Sequence, residues 1–185
     1  APVMVVLGAF LLLGAAACGD DDGEDTPSDS PTSTATAAEI SDTPVATPTE
    51  EPFSGARDPV EKAAPAVPPV AIQTATRYSE HLDYDRVVFD FAESAPGYRI
   101  EYVDPPIKAD PSDMEVEIDG EAFLQVIFLG AQAHDEAGNT TVDELEIIPG
   151  LTSILEIERT GDFEGHLTWV LGLPEELDFR VSDLT

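Results

Sequence analysis

From residue 84 onward, short runs rich in Val, Ile, Phe and Tyr alternate with polar turn clusters, and within each run the apolar positions recur every second residue. Residues 84–91 (YDRVVFDF) form the first run and place Val87, Phe89 and Phe91 on one face. Pro96-Gly97 then turns the chain into residues 98–103 (YRIEYV). Residues 114–118 (MEVEI) alternate strictly and meet Asp119-Gly120 ahead of residues 122–129 (AFLQVIFL). A two-residue Asp-Gly between alternating runs predicts a hairpin, because both central residues need positive φ. Residues 130–139 (GAQAHDEAGN) are small and polar, a loop with room for one helical turn. Further strands are expected at 144–148, 153–159, 166–172 and 179–181, with Thr160-Gly161-Asp162 and Glu164-Gly165 turning between the middle pair. No long helical periodicity and no internal repeat appears. The pattern predicts an all-β domain over residues 79–185, a sandwich of about seven to nine short, mostly antiparallel strands.

The other end of the chain has a different texture. Residues 1–17 (APVMVVLGAFLLLGAAA) carry no charge and run directly into Cys18. A membrane-spanning helix needs roughly 20 apolar residues, and this run stops at residues 19–25 (GDDDGED), which hold five carboxylates. A short apolar run closed by small residues reads as a secretory signal. Leu13-Gly14-Ala15-Ala16-Ala17-Cys18 resembles a lipobox, in which small residues let a peptidase grip extended backbone and the thiol takes a lipid. Residues 1–18 are therefore read as a lipoprotein signal segment with Cys18 as the lipidation site. The chain starts at Ala1 without the Lys/Arg-rich region that normally precedes such a run, and is read as a fragment.

Between the two lies a stretch, 19–78, that holds 9 of the 16 prolines and sets 12 carboxylates against only Arg57, Lys62 and Arg77. With so few branched and aromatic residues it cannot bury enough surface to offset the entropy of ordering, and is expected to be a disordered tether. Beyond Cys18 no cysteine remains, so the exported domain must rest on its core without disulfides. The net charge of −30 excludes nucleic acid, whose binders present basic patches, and opposes adsorption to anionic lipid. A saline habitat would account for the acidity as well as a function would.

Several stretches together resemble the AMIN-like domain of lipoproteins from high-GC Gram-positive bacteria, a relative of the AMIN module of cell-wall amidases and of some secretins. They are 84–91, 96–107 (PGYRIEYVDPPI), 122–141 (AFLQVIFLGAQAHDEAGNTT) and 160–173 (TGDFEGHLTWVLGL). The resemblance implies a β-sandwich that positions proteins at the cell wall by binding peptidoglycan, exported and held by the lipid on Cys18 at the outer face of the cytoplasmic membrane. Members of that family usually continue past the region of 179–181 into a Pro-Pro-Arg segment and a final apolar strand. Against that pattern this sequence lacks a closing strand, and an unpaired sheet edge is expected.

The chemistry-bearing residues favour a binding module over an enzyme. Asp110, Asp113, Glu115, Glu117, Asp119 and Glu121 suggest a cation loop, yet the twelfth position of a calcium-loop template falls on Val126. The glutamates also alternate with Met114, Val116 and Ile118, as on the outer face of a strand. His81, His134 and His166 match no zinc spacing. No serine-nucleophile elbow and no phosphate-cradling glycine loop occurs. No catalytic residue, metal or cofactor is assigned. His134-Asp135 offers an imidazole–carboxylate pair or a braced loop. Tyr98, Arg99, Tyr102 and Trp169 are the residue types that stack on sugars or fork to carboxylates, with Trp169 equally suited to a core. Arg86 is read as a cross-strand ion-pair partner. The expected function is a lipid-anchored, non-catalytic envelope module that binds peptidoglycan or positions an envelope complex, with peptidoglycan or an envelope protein as partner. The alternatives are a protein-interaction domain without glycan affinity and, more remotely, a cation-dependent hydrolase.

The lipobox reading has a direct test. The full chain should partition into a detergent phase, and Cys18→Ser should move it to the aqueous phase or block its processing. Stable anchoring takes two acyl chains, each buried CH₂ contributing about 0.8 kcal/mol. Unchanged partitioning together with unchanged size would remove Cys18 as the anchor.

Overall fold

The computed structural model describes residues 3–8, 53–66, 70–92 and 94–184, and among these every regular element is a strand. In chain order they are β1 (Val3–Gly8), β2 (Val60–Lys62), β3 (Ala71–Glu80), β4 (Asp85–Ala92), β5 (Gly97–Val103), β6 (Lys108–Ala109) and β7 (Met114–Glu115). There follow β8 (Ala122–Leu129), β9 (Ala131–Gln132), β10 (Glu146–Ile147), β11 (Glu156–Phe163), β12 (His166–Leu173) and β13 (Asp178–Asp183). One sheet runs β13-β1-β4-β3-β9 and a second runs β10-β11-β12-β8-β5-β2, while β6 and β7 pair with each other. All ladders are antiparallel except β3 with β9. The two large sheets face each other as a sandwich, as the two-residue period predicts.

The core follows from that alternation. Val87, Phe89 and Phe91 of β4 point inward, as do Leu124, Val126 and Phe128 of β8 and Leu167, Trp169 and Leu171 of β12. Phe128 takes the edges of Phe89 and Phe91 at centroid distances of 5.0 and 4.8 Å, and Phe89 lies 5.7 Å from Trp169. Such tilted contacts add to the burial of the rings. The indole N–H of Trp169 donates across the interface to Gln73 Oε1 at 2.9 Å. Gln73 is itself fully buried, and its amide donates to Thr76 Oγ1 at 2.8 Å, at the bulge between Gln73 and Ala75 where β3 shifts register against β4. Asp85 is buried at the far end of β4 and accepts the backbone N–H of Ser153 at 2.7 Å. A smaller cluster of Ile107, Phe123 and Val170 covers the outer face of the second sheet beneath the β6–β7 flap.

Several expectations are corrected. The tether was expected to reach residue 78, but β2 and β3 lie inside it, and Ala71 and Gln73 are fully buried. A threonine- and alanine-rich strand with few large side chains carries little signal of its own; its partner β4 supplies the order. Segment 53–66 also joins the domain: Ala56 and Phe179 exchange backbone hydrogen bonds, and Arg57 and Lys62 pair with Asp178 and Asp183. The run 114–118 is a strand only at Met114–Glu115, and it pairs with Lys108–Ala109 rather than with β8. Asp119-Gly120 makes no hairpin. It crosses the end of β12, where a Cβ on Gly172 would stand 2.0 Å from the Asp119 carbonyl oxygen, and Glu156 accepts the Asp119 N–H at 2.7 Å. The strand expected at 153–159 spans Glu156–Phe163 instead. Its turn is Glu164-Gly165 alone, with φ of 49° and 76°, while Thr160 to Asp162 stay in the strand around a bulge. Residues 130–139 contain no helical turn.

The first sheet keeps an edge strand, β13. On its inner side β1, from the apolar run read as a signal, lies between β13 and β4 and pairs antiparallel with both. Val5 and Leu7 are fully buried there. Cys18 and residues 19–52 of the expected tether lie outside the described residues.

Two predictions follow from packing and charge. Gln73→Leu leaves the Trp169 N–H buried without an acceptor and should destabilise the domain by about 1–3 kcal/mol in denaturant unfolding, with Trp169→Phe in the same chain recovering part of the loss. The second concerns Glu158, whose partner in register on β10 is Glu146. One Glu158 oxygen is buried without a hydrogen-bond partner, and burial, then Glu156 and Glu146, push the carboxyl up to about 7. Because the folded form holds this proton more tightly than the unfolded chain, the stability it contributes is complete at acid pH and lost as pH rises to about 7. Glu158→Gln should therefore raise the melting temperature at pH about 8 and leave it unchanged at pH about 4. Equal effects at both pH values would contradict the charge argument.

Candidate functional site

The six residues singled out in the sequence do not converge. Tyr98, Arg99 and Tyr102 share β5, but alternation divides them. Tyr98 is 7% exposed, with Lys62 over its ring at 5.6 Å. Tyr102 is held by Leu177, donating to its carbonyl at 2.6 Å and accepting its N–H at 2.9 Å. Arg99 is exposed on the opposite face and pairs with Glu101 at 2.9 Å. Trp169 is fully buried two strands away and belongs to the core.

His134 and Asp135 lie in the loop after β9, and they do not pair with each other. The imidazole Nδ1 sits 2.9 Å from Asp162 Oδ2, which also accepts the Ala133 N–H at 3.1 Å. Asp135 instead closes its own turn, accepting the N–H groups of Ala137 and Asn139 and the Asn139 side-chain amide at 2.8–2.9 Å. Those bonds, led by Asn139, hold its carboxyl below the usual range. The arrangement braces a loop. Among the described residues no group of three or more His, Cys, Asp or Glu side chains gathers to hold a metal.

A groove that the sequence reading did not single out lies on the outer face of the first sheet. It has a volume of about 470 Å³ and is lined by Arg77, Tyr78, Ser79, Arg86 and Val88. The antiparallel pairing of β3 with β4 builds it, since Arg77 stands opposite Val88 and Ser79 opposite Arg86. The Arg77 guanidinium forks onto Asp90, with Nη2 2.9 Å from Oδ1, and holds that carboxyl below its usual range. Arg77 is thereby fixed in orientation along the groove. Arg86 makes weaker contacts among the described residues: its Nε lies 3.4 Å from Ser79 Oγ and its Nη1 3.9 Å from the Met4 sulfur. Guanidinium donors so weakly engaged suit a carboxylate or phosphate arriving from outside. Arg180 joins the same face across β1, because the residue that pairs with Arg86 in register also pairs with Arg180. At the neighbouring corner Phe53 meets Arg180 at 5.7 Å and Tyr84 at 6.1 Å, and Tyr84 stacks on His81.

Three of the eight basic residues of a chain with net charge −30 thus share one outward face. Two of the three were visible in the sequence only as members of other classes: Arg77 as part of a tether, and Arg86 as an ion-pair partner. Their signal was the outward parity of Arg77 and Ser79 before the turn and of Arg86 and Val88 after it, legible only once β3 is known to be a strand. A further cavity, about 350 Å³, lies under the β6–β7 flap between Pro105, Ile107, Phe123 and the Glu115–Asp119 stretch; its charged lining is acidic.

Comparison with known proteins adds one finding. No curated protein and no solved structure matches the chain. A family model, that of the AMIN-like domain, matches residues 71–185, the stretch that opens with β3 and takes in β4 through β13. The chain belongs to the AMIN-like domain family, whose members are extracytoplasmic, cell-wall-related modules of generally non-catalytic type.

Proposed function

We propose that this protein is a lipid-anchored, non-catalytic module of the cell envelope, held at the outer face of the cytoplasmic membrane through Cys18. Its groove beside Arg77 and Arg86 takes a carboxylate of peptidoglycan. The observation that carries the reading is the gathering of three arginines on one outward face of a strongly acidic chain. Stem peptides of the wall present carboxylates of the kind a guanidinium fork recognises. Tyr78, which also lines the groove, is 44% exposed. The family membership supports a place at the wall, and the lipobox supports the anchor.

The charge balance makes the reading specific. A net charge of −30 repels an anionic polymer at long range, whereas contacts inside a groove are short-range. Raising salt from about 10 to about 150 mM shortens the screening length from about 30 to about 8 Å. Repulsion between the two bodies fades first, so binding should strengthen over that interval.

The test is co-sedimentation of the full chain with purified peptidoglycan across a salt series, with released muropeptides followed by mass. Arg86→Ala should weaken binding about tenfold, a loss of about 1.4 kcal/mol, while Arg99→Ala on the opposite sheet should leave it unchanged. Absence of binding at every salt concentration would transfer the reading to a protein partner. Release of wall fragments would show the module to be catalytic.

A further inference from the structure

The two sides of β3 are covered unequally. One side pairs with β4 along residues 72–80, whereas on the other β9 meets only Ala71 and Ile72. The Thr141 hydroxyl takes the Gln73 carbonyl. Past that point no described strand lies on this side, and Thr74, Arg77, Tyr78 and Glu80 are exposed. The hairpin fixes where the backbone groups point. The His81 N–H donates to the Tyr84 carbonyl at 2.9 Å. Bonded pairs recur at every second residue of an antiparallel ladder, so Ser79 with Arg86 and Arg77 with Val88 bond toward β4. Thr76, Tyr78 and Glu80 are the intervening residues, and their N–H and C=O groups point away from the sheet. Among the described residues none of these groups has a backbone or side-chain partner. Such a row is a template for a further strand. Neither proline nor lysine guards it, and the bulge lies before it, between Gln73 and Ala75.

Charge selects the strand that fits. Positions opposite Arg77 and Ser79 would form the closer, non-hydrogen-bonded pairs of the new ladder, with Cα atoms about 4.5 Å apart. Arg77 presents its guanidinium at the first. At the second, Arg86 reaches over Ser79, its Nε 3.4 Å from the hydroxyl. Acidic residues at these two alternate positions would each meet a guanidinium. The residue between them would stand opposite Tyr78, on the side of the sheet that Val87 buries, and suits an apolar side chain. The outer side of β13 differs: Ala56 already exchanges hydrogen bonds with Phe179 there, and the flanking charges are Asp178 and Asp183. A second copy of this chain fits β3 poorly. Antiparallel self-pairing about Tyr78 sets Arg77 against Ser79 and Glu80 against Thr76, gains no ion pair, and joins two chains of net charge −30.

We propose that the open side of β3 is a docking edge for an extended segment of an envelope protein, one with acidic residues at two alternate positions and an apolar residue between them. Main-chain pairing supplies affinity and the alternate side chains supply specificity. The inference goes beyond wall binding and does not need it. Sedimentation with peptidoglycan reports on the guanidinium groups, whereas amide protection along β3 reports on strand pairing, so either can fail alone.

The experiment uses the full chain carrying Cys18→Ser and a labelled peptide, Thr-Val-Glu-Val-Glu-Val-Thr, with binding followed by anisotropy and amide hydrogen exchange by NMR. At saturation the amides of Thr76, Tyr78 and Glu80 should exchange at least about tenfold more slowly. A peptide with lysine in place of both glutamates should bind at least about tenfold more weakly. N-methylation of the central valine, whose N–H would face β3, should abolish binding, while N-methylation of a glutamate, whose N–H would face away, should be tolerated. On the protein side, Glu80→Pro removes a donor that β4 does not use and should abolish binding, whereas Glu80→Gln should retain it. If Glu80→Pro does not fold, the two N-methylated peptides decide the matter on the unaltered chain. Slow exchange of the three amides before peptide is added, binding that leaves them unprotected, equal binding of the lysine peptide, no binding at all, or pairing of two copies through β3 would each overturn the proposal.

Discussion

The buried hydrogen bond from Trp169 to Gln73 joins more of this molecule than any other single contact. An indole N–H cannot be left without an acceptor in a core this apolar, so the second sheet must bring Trp169 opposite the one polar side chain that β3 buries there. Gln73 meets that demand only because a bulge follows it, letting its amide turn to Thr76. Its backbone carbonyl then accepts the Thr141 hydroxyl at 2.7 Å, which ties the loop carrying His134 and Asp135 to the same point. Sheet separation, the register of β3 and the seating of that loop are thus consequences of one requirement. The bulge also sets which residues of β3 face outward beyond it, and those are Arg77 and Ser79.

Charge placement follows a related economy of few bases among many acids. Arg57, Lys62, Arg99 and Lys108 each meet a carboxylate at the surface, where such pairs add little stability but neutralise local repulsion. Arg159 lies over the Trp169 ring at 6.0 Å and donates to the Val142 carbonyl, partly withdrawn from water. Arg77 also meets a carboxylate, that of Asp90, and shares the outer face of the first sheet with Arg86 and Arg180. Where acids crowd instead, as at Glu146, Glu156 and Glu158, the protein carries a carboxyl pushed toward neutrality.

The position of β1 makes part of the N-terminal apolar run a core element of the fold. An uncharged apolar run such as residues 1–17 suits a membrane-targeting segment and a buried strand equally well, since both ask only for apolar side chains without charge. In the slot between β4 and β13 the second use prevails, because two strands present unpaired backbone and an apolar floor.

By itself the sequence determined the fold class, the core faces of β4, β8 and β12, and the Glu164-Gly165 hairpin turn, because alternation and positive-φ turn residues are local properties. It could not decide that residues 71–80 are a strand, for a Thr/Ala-rich segment acquires order only from the partner beside it. Nor could it decide what Asp119-Gly120 does, since its role depends on how closely the chain crosses Gly172, far away in sequence. His134 found Asp162 rather than its neighbour Asp135 for the same reason: adjacent residues on an extended chain point apart, and partners come from across the fold. The arginine face is the fullest case. Arg77, Arg86 and Arg180 sit on three strands, and only strand pairing, a long-range product of the tertiary structure, brings them to one surface.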